Sequence, residues 1–265
     1  MEIWIIILSS LIGYLLGSIS FSRIFIKILA PDQSINDIRL ENGDSQEGAE
    51  VSMGYGANKA SMILGTKWGI TIGIFDMLKV IAPLIIFRFI LFPSDPYFLY
   101  IAAFGLVGHN WPVYHRFKGG RGYSVMFGSL IVIDWLAAVL VPPLGLLLGF
   151  SLFASLSFAA LIWPWLIIPW FLFSTFDINF VIYAIIINVV FLLGLIPEIK
   201  LYFKLRKEGR VKEYREKLLE TSGYFRGMRR MEDFFKSLGI WRYFIGISTL
   251  IGIIAIFTIL AIINI

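Results

Sequence analysis

Apolar runs of bilayer length recur along nearly the whole chain, with the polar residues gathered into the gaps between them. The runs cover 3–29, 67–92, 97–115, 123–134, 135–153, 157–174, 178–199 and 242–264. A helix needs about 20 apolar residues to cross a bilayer, so the pattern predicts an all-α, polytopic integral membrane helical bundle. A closed β-barrel would show short segments of alternating polarity, and the sequence shows none. The run 123–134 is too short for a lipid-facing span and reads as a half-helix buried in protein. Pro142-Pro143, Pro164 and Pro169 predict kinks or breaks in the next two runs. The first run lacks a basic leader and a small-residue cleavage site, so it reads as a retained span rather than a signal peptide.

Two gaps are long. Residues 32–50 are polar and acidic, and predict a flexible loop. In 200–240, Val211, Tyr214, Leu218 and Leu219 recur at helical spacing, as do Met228, Met231, Phe234, Phe235 and Leu238. The remaining positions carry Lys, Arg and Glu. That pattern suits helices lying on an anionic inner leaflet, and equally a positively charged loop that only sets topology.

Composition agrees with the pattern. Of 265 residues, 58% are hydrophobic and 15% charged, against about 25% charged in an ordinary soluble domain. The chain has 0 cysteines, which excludes disulfides, thiol catalysis and thiolate metal sites. The net charge of +5 matters less than its placement. Thirteen of the 23 basic residues lie between Lys200 and Arg242. Others lie between the first two runs or at their near ends, Arg23, Lys27, Arg39, Lys59 and Lys67, and after the third, Arg116, Lys118 and Arg121. The opposite turns at Pro93–Pro96, Asp134 and Thr175–Asn179 hold acidic residues and no Lys or Arg. The positive-inside rule then puts the N-terminus outside and the basic segments in the cytoplasm, with seven spans before residue 200 and an eighth after it.

The chemistry concentrates in residues 108–122, Gly-His-Asn-Trp-Pro-Val-Tyr-His-Arg-Phe-Lys-Gly-Gly-Arg-Gly. Backbone amides left free by Gly119, Gly120 and Gly122, with cations beside them, suit a phosphate oxyanion at a membrane surface. His109 has three readings: an acid/base, a donor to phosphate, or a buried hydrogen-bonded helix end. His115 reads as structural. Other glycine- and serine-bearing segments fall on the same expected side: Gly17–Ser20, Ser52–Lys59 and Ser155–Ser157. Gly17–Ser20 either unwinds the first helix or lets it pack closely, and close packing is preferred. Asp76 and Lys79, three apart within an apolar run, predict a buried ion pair that orients the loops.

These residues resemble the bacterial acyl-phosphate:glycerol-3-phosphate acyltransferases, the PlsY family. The loop matches that family's second signature, Gly-His-x-x-Pro-x-x-x-x-Phe-Lys-Gly-Gly, with Arg121 where the family usually has Lys. Gly17-Ser18-Ile19-Ser20-Phe21, Asp37-Ile38-Arg39, Asp76-x-Leu78-Lys79 and Ser155-Leu156-Ser157 match other family segments in order. The resemblance implies seven spans and a cytoplasmic active site in the cell (inner) membrane. It implies transfer of a fatty acyl group from acyl-phosphate to glycerol 3-phosphate, giving lysophosphatidate and phosphate without metal or cofactor. The implied catalytic residues are His109, Lys118 and Ser52. The implied substrate-binding residues are Arg39, Gly56, Asn58, Lys59, Gly119, Gly120, Arg121, Gly122 and Ser155. Partners are the two substrates and the anionic inner leaflet, with no nucleic acid. The organisation expected is a transmembrane acyltransferase domain over 1–209, a basic amphipathic cytoplasmic segment over 210–240 and an added helix over 241–265.

The chain departs from the family in places. In the first signature Met62 takes the position of an Arg, and both asparagines are displaced. In the third, Leu195 takes the position of a His and Glu198 that of an Asn. Leucine transfers no proton. Three hypotheses follow: an acyltransferase on glycerol 3-phosphate or a related acceptor, a catalytically impaired relative that binds phosphorylated lipid or partner proteins, and an unrelated transporter or lipid-handling membrane protein.

Overall fold

The computed structural model describes residues 2–35, 39–42, 45–50 and 54–263. Its helices, in order, are α1 (Ile3–Gly17), α2 (Phe21–Leu29), α3 (Ala57–Leu64), α4 (Thr66–Ile85), α5 (Tyr97–Asn110), α6 (Tyr123–Ile133), α7 (Trp135–Phe153), α8 (Leu156–Ser174), α9 (Ile178–Lys207), α10 (Val211–Thr221), α11 (Gly223–Ser237) and α12 (Trp241–Ile263). The stretches Ile3–Leu29, Thr66–Leu91, Trp135–Phe153, Ile178–Lys207 and Trp241–Ile263 are long and apolar enough to cross a membrane, while Tyr123–Ile133 and Phe158–Ser174 are apolar but shorter. Large apolar side chains such as Trp4, Ile90, Trp135 and Ile251 are exposed, as the lipid-facing positions of a membrane bundle are.

Several boundaries differ from the sequence reading. The third run ends as a helix at Asn110, because Trp111 precedes a proline and leaves the helical region. The prolines of α7 and α8 lie inside continuous helices, so they do not break them. α9 continues past Pro197 to Lys207, well beyond its apolar run. Within the polar gap expected to be a loop, β1 (Arg39–Asn42) and β2 (Ser45–Glu50) pair antiparallel, with Arg39 opposite Glu50.

The chain divides into two compact units, Met1–Ser129 with Val190–Arg226, and Leu130–Val189 with Gly227–Ile265. In the first unit α1 packs on α5 through glycine. A Cβ on Gly17 would strike the Gly105 carbonyl, one on Gly13 the Ile101 carbonyl, and one on Gly108 the Tyr14 carbonyl. Small residues bring membrane helices this close when packing, not water exclusion, drives association. The expected close packing at Gly17 is therefore present, and the helix also breaks just after it. A second cluster seats α2, α3 and α4 on Ile26, Ile35, Ala60 and Ile72. α10 rests on α3 through Leu218, which packs against Met62, Tyr214 and Phe225.

In the second unit α7 and α8 form a close hairpin, where Gly145 faces the Trp163 backbone and Gly149 that of Ala159. The Asp134 carboxylate accepts from the Ala137 amide at 3.0 Å, capping α7, and from Trp170 Nε1 at 2.7 Å. Asn188 Nδ2 donates to the Pro164 carbonyl at 2.9 Å. α11 does not lie wholly against lipid: Phe235 stacks on Phe150 at 5.5 Å, within a cluster that takes in Ala154, Ala159, Met228 and Leu238. Met231 and Phe234 stay exposed. Glu232, buried, accepts from the Leu156 amide at 2.9 Å and so caps α8.

Candidate active site

Around the helix break, the first unit gathers a polar cluster. α1 ends at Gly17, and Ser18 Oγ donates to the Tyr14 carbonyl at 2.7 Å. The chain then runs through Ile19 and Ser20 before α2 begins. That interruption leaves the Ile19 carbonyl outside the helical ladder, and Lys79 Nζ donates to it at 2.7 Å. Lys79 Nζ also donates to Asp76 Oδ1 at 2.8 Å and to His109 Nδ1 at 3.1 Å. Asp76, Lys79 and His109 are all buried. The ion pair expected from their spacing on α4 is thus present, and it reaches a histidine thirty residues away.

The loop after α5 closes over this cluster. Tyr14 donates its hydroxyl to the Trp111 carbonyl at 3.1 Å. After the turn Val113–His115, Arg116 and Phe117 take left-handed backbone with φ of 51° and 59°, an uncommon conformation away from glycine. The loop's amides are less free than its glycines suggest. Phe117 N–H donates to the Pro112 carbonyl, Lys118 N–H to His115, and Gly120 N–H to His109 at 2.9 Å. The glycines matter instead for close approach. A Cβ on Gly119 would meet the His109 carbonyl and Pro112, and one on Gly120 would fall on His109 Nε2.

The first and second signature segments meet here. Tyr55 N–H donates to the Gly119 carbonyl at 2.8 Å, and a Cβ on Gly56 would lie 3.7 Å from Gly120 Cα. Ser22 Oγ donates to the Tyr55 carbonyl at 2.6 Å. Arg23 donates to the Lys118 carbonyl at 2.8 Å, and its guanidinium lies 4.9 Å from the Tyr55 ring centre. The result is a small recess lined by Gly17, Ser18, Ile19, Ser20, Ser22, Tyr55, Asp76, His109, Pro112, Gly119 and Gly120. Lys79 balances the Asp76 carboxylate within it, and Arg23 adds positive charge at its edge. His115, in the loop, is held below its ordinary value by partial burial and then by the charges of Arg23 and Lys79, so it is uncharged at neutral pH.

The expected site residues are only partly brought together. His109, Gly119 and Gly120 line the recess. Gly56 borders it through Gly120. Gly122 takes φ of 87° at the start of α6. Lys118 contributes its carbonyl to Arg23, while its side chain is exposed. Lys59 is fully buried, with Nζ 4.3 Å from the Tyr55 ring centre. Asn58 is exposed, and its carbonyl accepts from Ser61 Oγ. Arg121 Nε donates to Glu198 Oε1 at 2.7 Å, so its charge is already paired. Ser155 belongs to the second unit, as the residue before α8. Arg39 opens β1 and is described only by its strand pairing; Ser52, with Asp37 and Ile38, lies outside the described residues. Among the described residues no group of three or more His, Asp and Glu is gathered for a metal ion.

Sequence reasoning missed Arg23, Tyr55, Ser20 and Ser22 as site residues. The available signal was Arg23, a cation inside an apolar run and three residues from Ser20 (Nη1 to Oγ, 3.3 Å).

Comparison with known proteins gives a consistent result. The family model described as glycerol-3-phosphate acyltransferase matches residues 7–204. The glycerol-3-phosphate acyltransferase of Mycoplasma mycoides is 35% identical over 141 residues, covering 51% of this chain and 49% of the relative. Glycerol-3-phosphate acyltransferase 1 of Lactobacillus johnsonii is 32% identical over 167 residues, covering 57% and 74%. The chain thus spans about half the length of the mycoplasma relative it matches. Among solved structures, the integral membrane glycerol 3-phosphate acyltransferase PlsY aligns in its lysophosphatidic acid form with a TM-score of 0.59 at 21% identity, and in its glycerol 3-phosphate form with 0.60 at 20%. Each alignment covers 77% of this chain and 93% of that one.

Proposed function

The chain belongs to the glycerol-3-phosphate acyltransferase family, and we propose that it moves a fatty acyl group from acyl-phosphate to glycerol 3-phosphate at the cytoplasmic face of the cell membrane. The acyl chain lies in the bilayer while the phosphate end of the donor meets the mouth of the recess. The acceptor hydroxyl oxygen bonds to the acyl carbon, the bond from that carbon to the phosphate oxygen breaks, and the hydroxyl proton leaves on the released phosphate. The products are lysophosphatidate and inorganic phosphate. The donor is a mixed anhydride, so positioning and charge stabilisation carry the catalysis. His109 and the Gly119-Gly120 turn contact the reacting group, while Arg23 and Lys118 supply positive charge at the mouth. Ser52, Arg39 and Lys59 are further proposed contributors from the first-signature side.

The observation that carries this reading is the recess itself: a buried imidazole edge, three serines and three glycines meet where a helix in a membrane protein is interrupted. The orientation rests on charge, since the basic residues cluster on one set of turns.

A second reading has its own support. Leu195 is buried, and Glu198 is paired with Arg121, so the third-signature positions hold no proton donor and no amide. An impaired relative that binds phosphorylated lipid through the same recess fits those two residues. Purified protein in lipid vesicles, given acyl-phosphate and glycerol 3-phosphate, separates the two. Phosphate release that requires the acceptor supports transfer, and binding of both substrates without release supports the impaired relative.

A further inference from the structure

We infer that the Asp76–Lys79 pair fixes His109 as the neutral tautomer protonated on Nε2, making it a hydrogen-bond donor to an anionic substrate oxygen rather than a base. An ammonium group has three protons and no lone pair. Lys79 Nζ has three acceptors around it: Asp76 Oδ1 at 2.8 Å, the Ile19 carbonyl at 2.7 Å and His109 Nδ1 at 3.1 Å. Nδ1 must therefore present its lone pair to Lys79. An imidazolium ring carries a proton on both nitrogens and has no lone pair to offer. A neutral Lys79 amine would leave the buried Asp76 carboxylate without its counter-charge, which is costly at this depth. The remaining arrangement is a neutral ring with its single N–H on Nε2.

The Nε2 edge faces Gly120, and a Cβ there would occupy its space. Gly120 thus keeps a side chain off that edge, beside the recess that both residues line. In that state His109 takes no proton from the acceptor hydroxyl, because its one lone pair is engaged by Lys79. It offers N–H to the oxygen on which charge builds as the acyl–phosphate bond breaks. A preorganised donor of this kind contributes about 100- to 1,000-fold in rate. Lys79 and Asp76 are positioning residues, acting through His109. The identity of the anionic oxygen rests on the acyltransferase reading; the tautomer does not.

The chain has 2 histidines, so labelling histidine with ¹⁵N in the full-length protein in lipid nanodiscs gives two rings to assign, with His115→Asn identifying the other. The expected spectrum shows His109 protonated on Nε2 alone. Lys79→Arg, which keeps a donor toward Nδ1, is expected to preserve that signature, and Lys79→Met to mix the tautomers. A wild-type Nδ1–H tautomer or an imidazolium at neutral pH overturns the inference, as does an unchanged Lys79→Met spectrum. Should Lys79→Met not fold, the wild-type spectrum decides. The donor role is read separately. Glutamine places its amide nitrogen near the Nε2 position and asparagine near Nδ1, so His109→Gln is expected to keep at least about ten times the acyl transfer of His109→Asn. Equal losses, or the reverse order, overturn the role. If the wild type transfers no acyl group, the enzymatic reading fails while the tautomer still stands. Titration with inorganic phosphate then judges the donor: a shifted Nε2 resonance supports it and an unmoved one overturns it.

Discussion

Arg121 and Glu198 are 77 residues apart and meet through a 2.7 Å bond from Nε to Oε1. They are also two of the positions where this chain departs from the family signatures, and here the two are paired. The pair is partly solvated, with side-chain exposures of 17% and 36%, and its effect on stability is therefore expected below about 1 kcal/mol. Its effect on anion binding is expected to be larger. Glu198→Asn removes the carboxylate that faces the guanidinium next to Gly120 and is expected to lower the KM for glycerol 3-phosphate several-fold, whereas Arg121→Gln is expected to raise it. Steady-state kinetics on the two single variants and the double check this, and movement of both singles in one direction would refute it.

Gly120→Ala drives a methyl group into the His109 ring. The expected result is a folded protein destabilised by about 1–3 kcal/mol, with acyl transfer reduced at least about 100-fold. Thermal unfolding in detergent and a phosphate-release assay measure the two effects on one preparation. Full activity in this variant would remove His109 Nε2 from the reaction.

Gly17→Val forces α1 away from the Gly105 carbonyl. A loss of about 1–3 kcal/mol or more is expected. Leu11→Val, at an exposed position on the same helix, is the control and should fall within about 0.5 kcal/mol of wild type. Equal unfolding midpoints for both variants would show that the glycine contact carries no packing energy.

Glu232→Ala removes the acceptor that caps α8 at the Leu156 amide. The expected loss is about 1–2 kcal/mol. Glu232→Gln keeps an acceptor oxygen but loses the charge facing Arg229 and Lys236, both 3.9 Å away, and should lose less. Chemical unfolding of the full chain tests the ranking.

Topology is open to direct labelling because the chain has no cysteine of its own. A cysteine at the exposed Ser94 is expected to react with an impermeant maleimide added to intact cells, and one at Lys212, 90% exposed, only after permeabilisation. The opposite pattern would invert the proposed orientation.

Much of the framework was legible in the sequence because each span is a local property. Apolar length alone marked α1, α4, α7, α9 and α12, and the cost of an unpaired charge at depth marked Asp76 with Lys79. The contacts that complete the recess join residues far apart in the chain, and no local period encodes them. Nothing near His109 announces Lys79, and nothing near Arg121 announces Glu198. The strand pair Arg39–Asn42 and Ser45–Glu50 was hidden because its strands are polar and lack alternation. α11 was legible only in part. Its apolar face, read as meeting lipid, is divided between Phe235 against Phe150 and an exposed Phe234, and an amphipathic helix does not declare which surface it covers.

The threefold coordination of Lys79 has a chemical corollary. If the donor is the acyl anhydride proposed above, a primary amine near it would be a competing nucleophile, and capture of the acyl group there would form a stable amide and end turnover. As an ammonium held by Asp76, Ile19 and His109, the nitrogen has no electron pair to attack with. The same three contacts that orient the imidazole thus shield the protein from modifying itself with its own reagent.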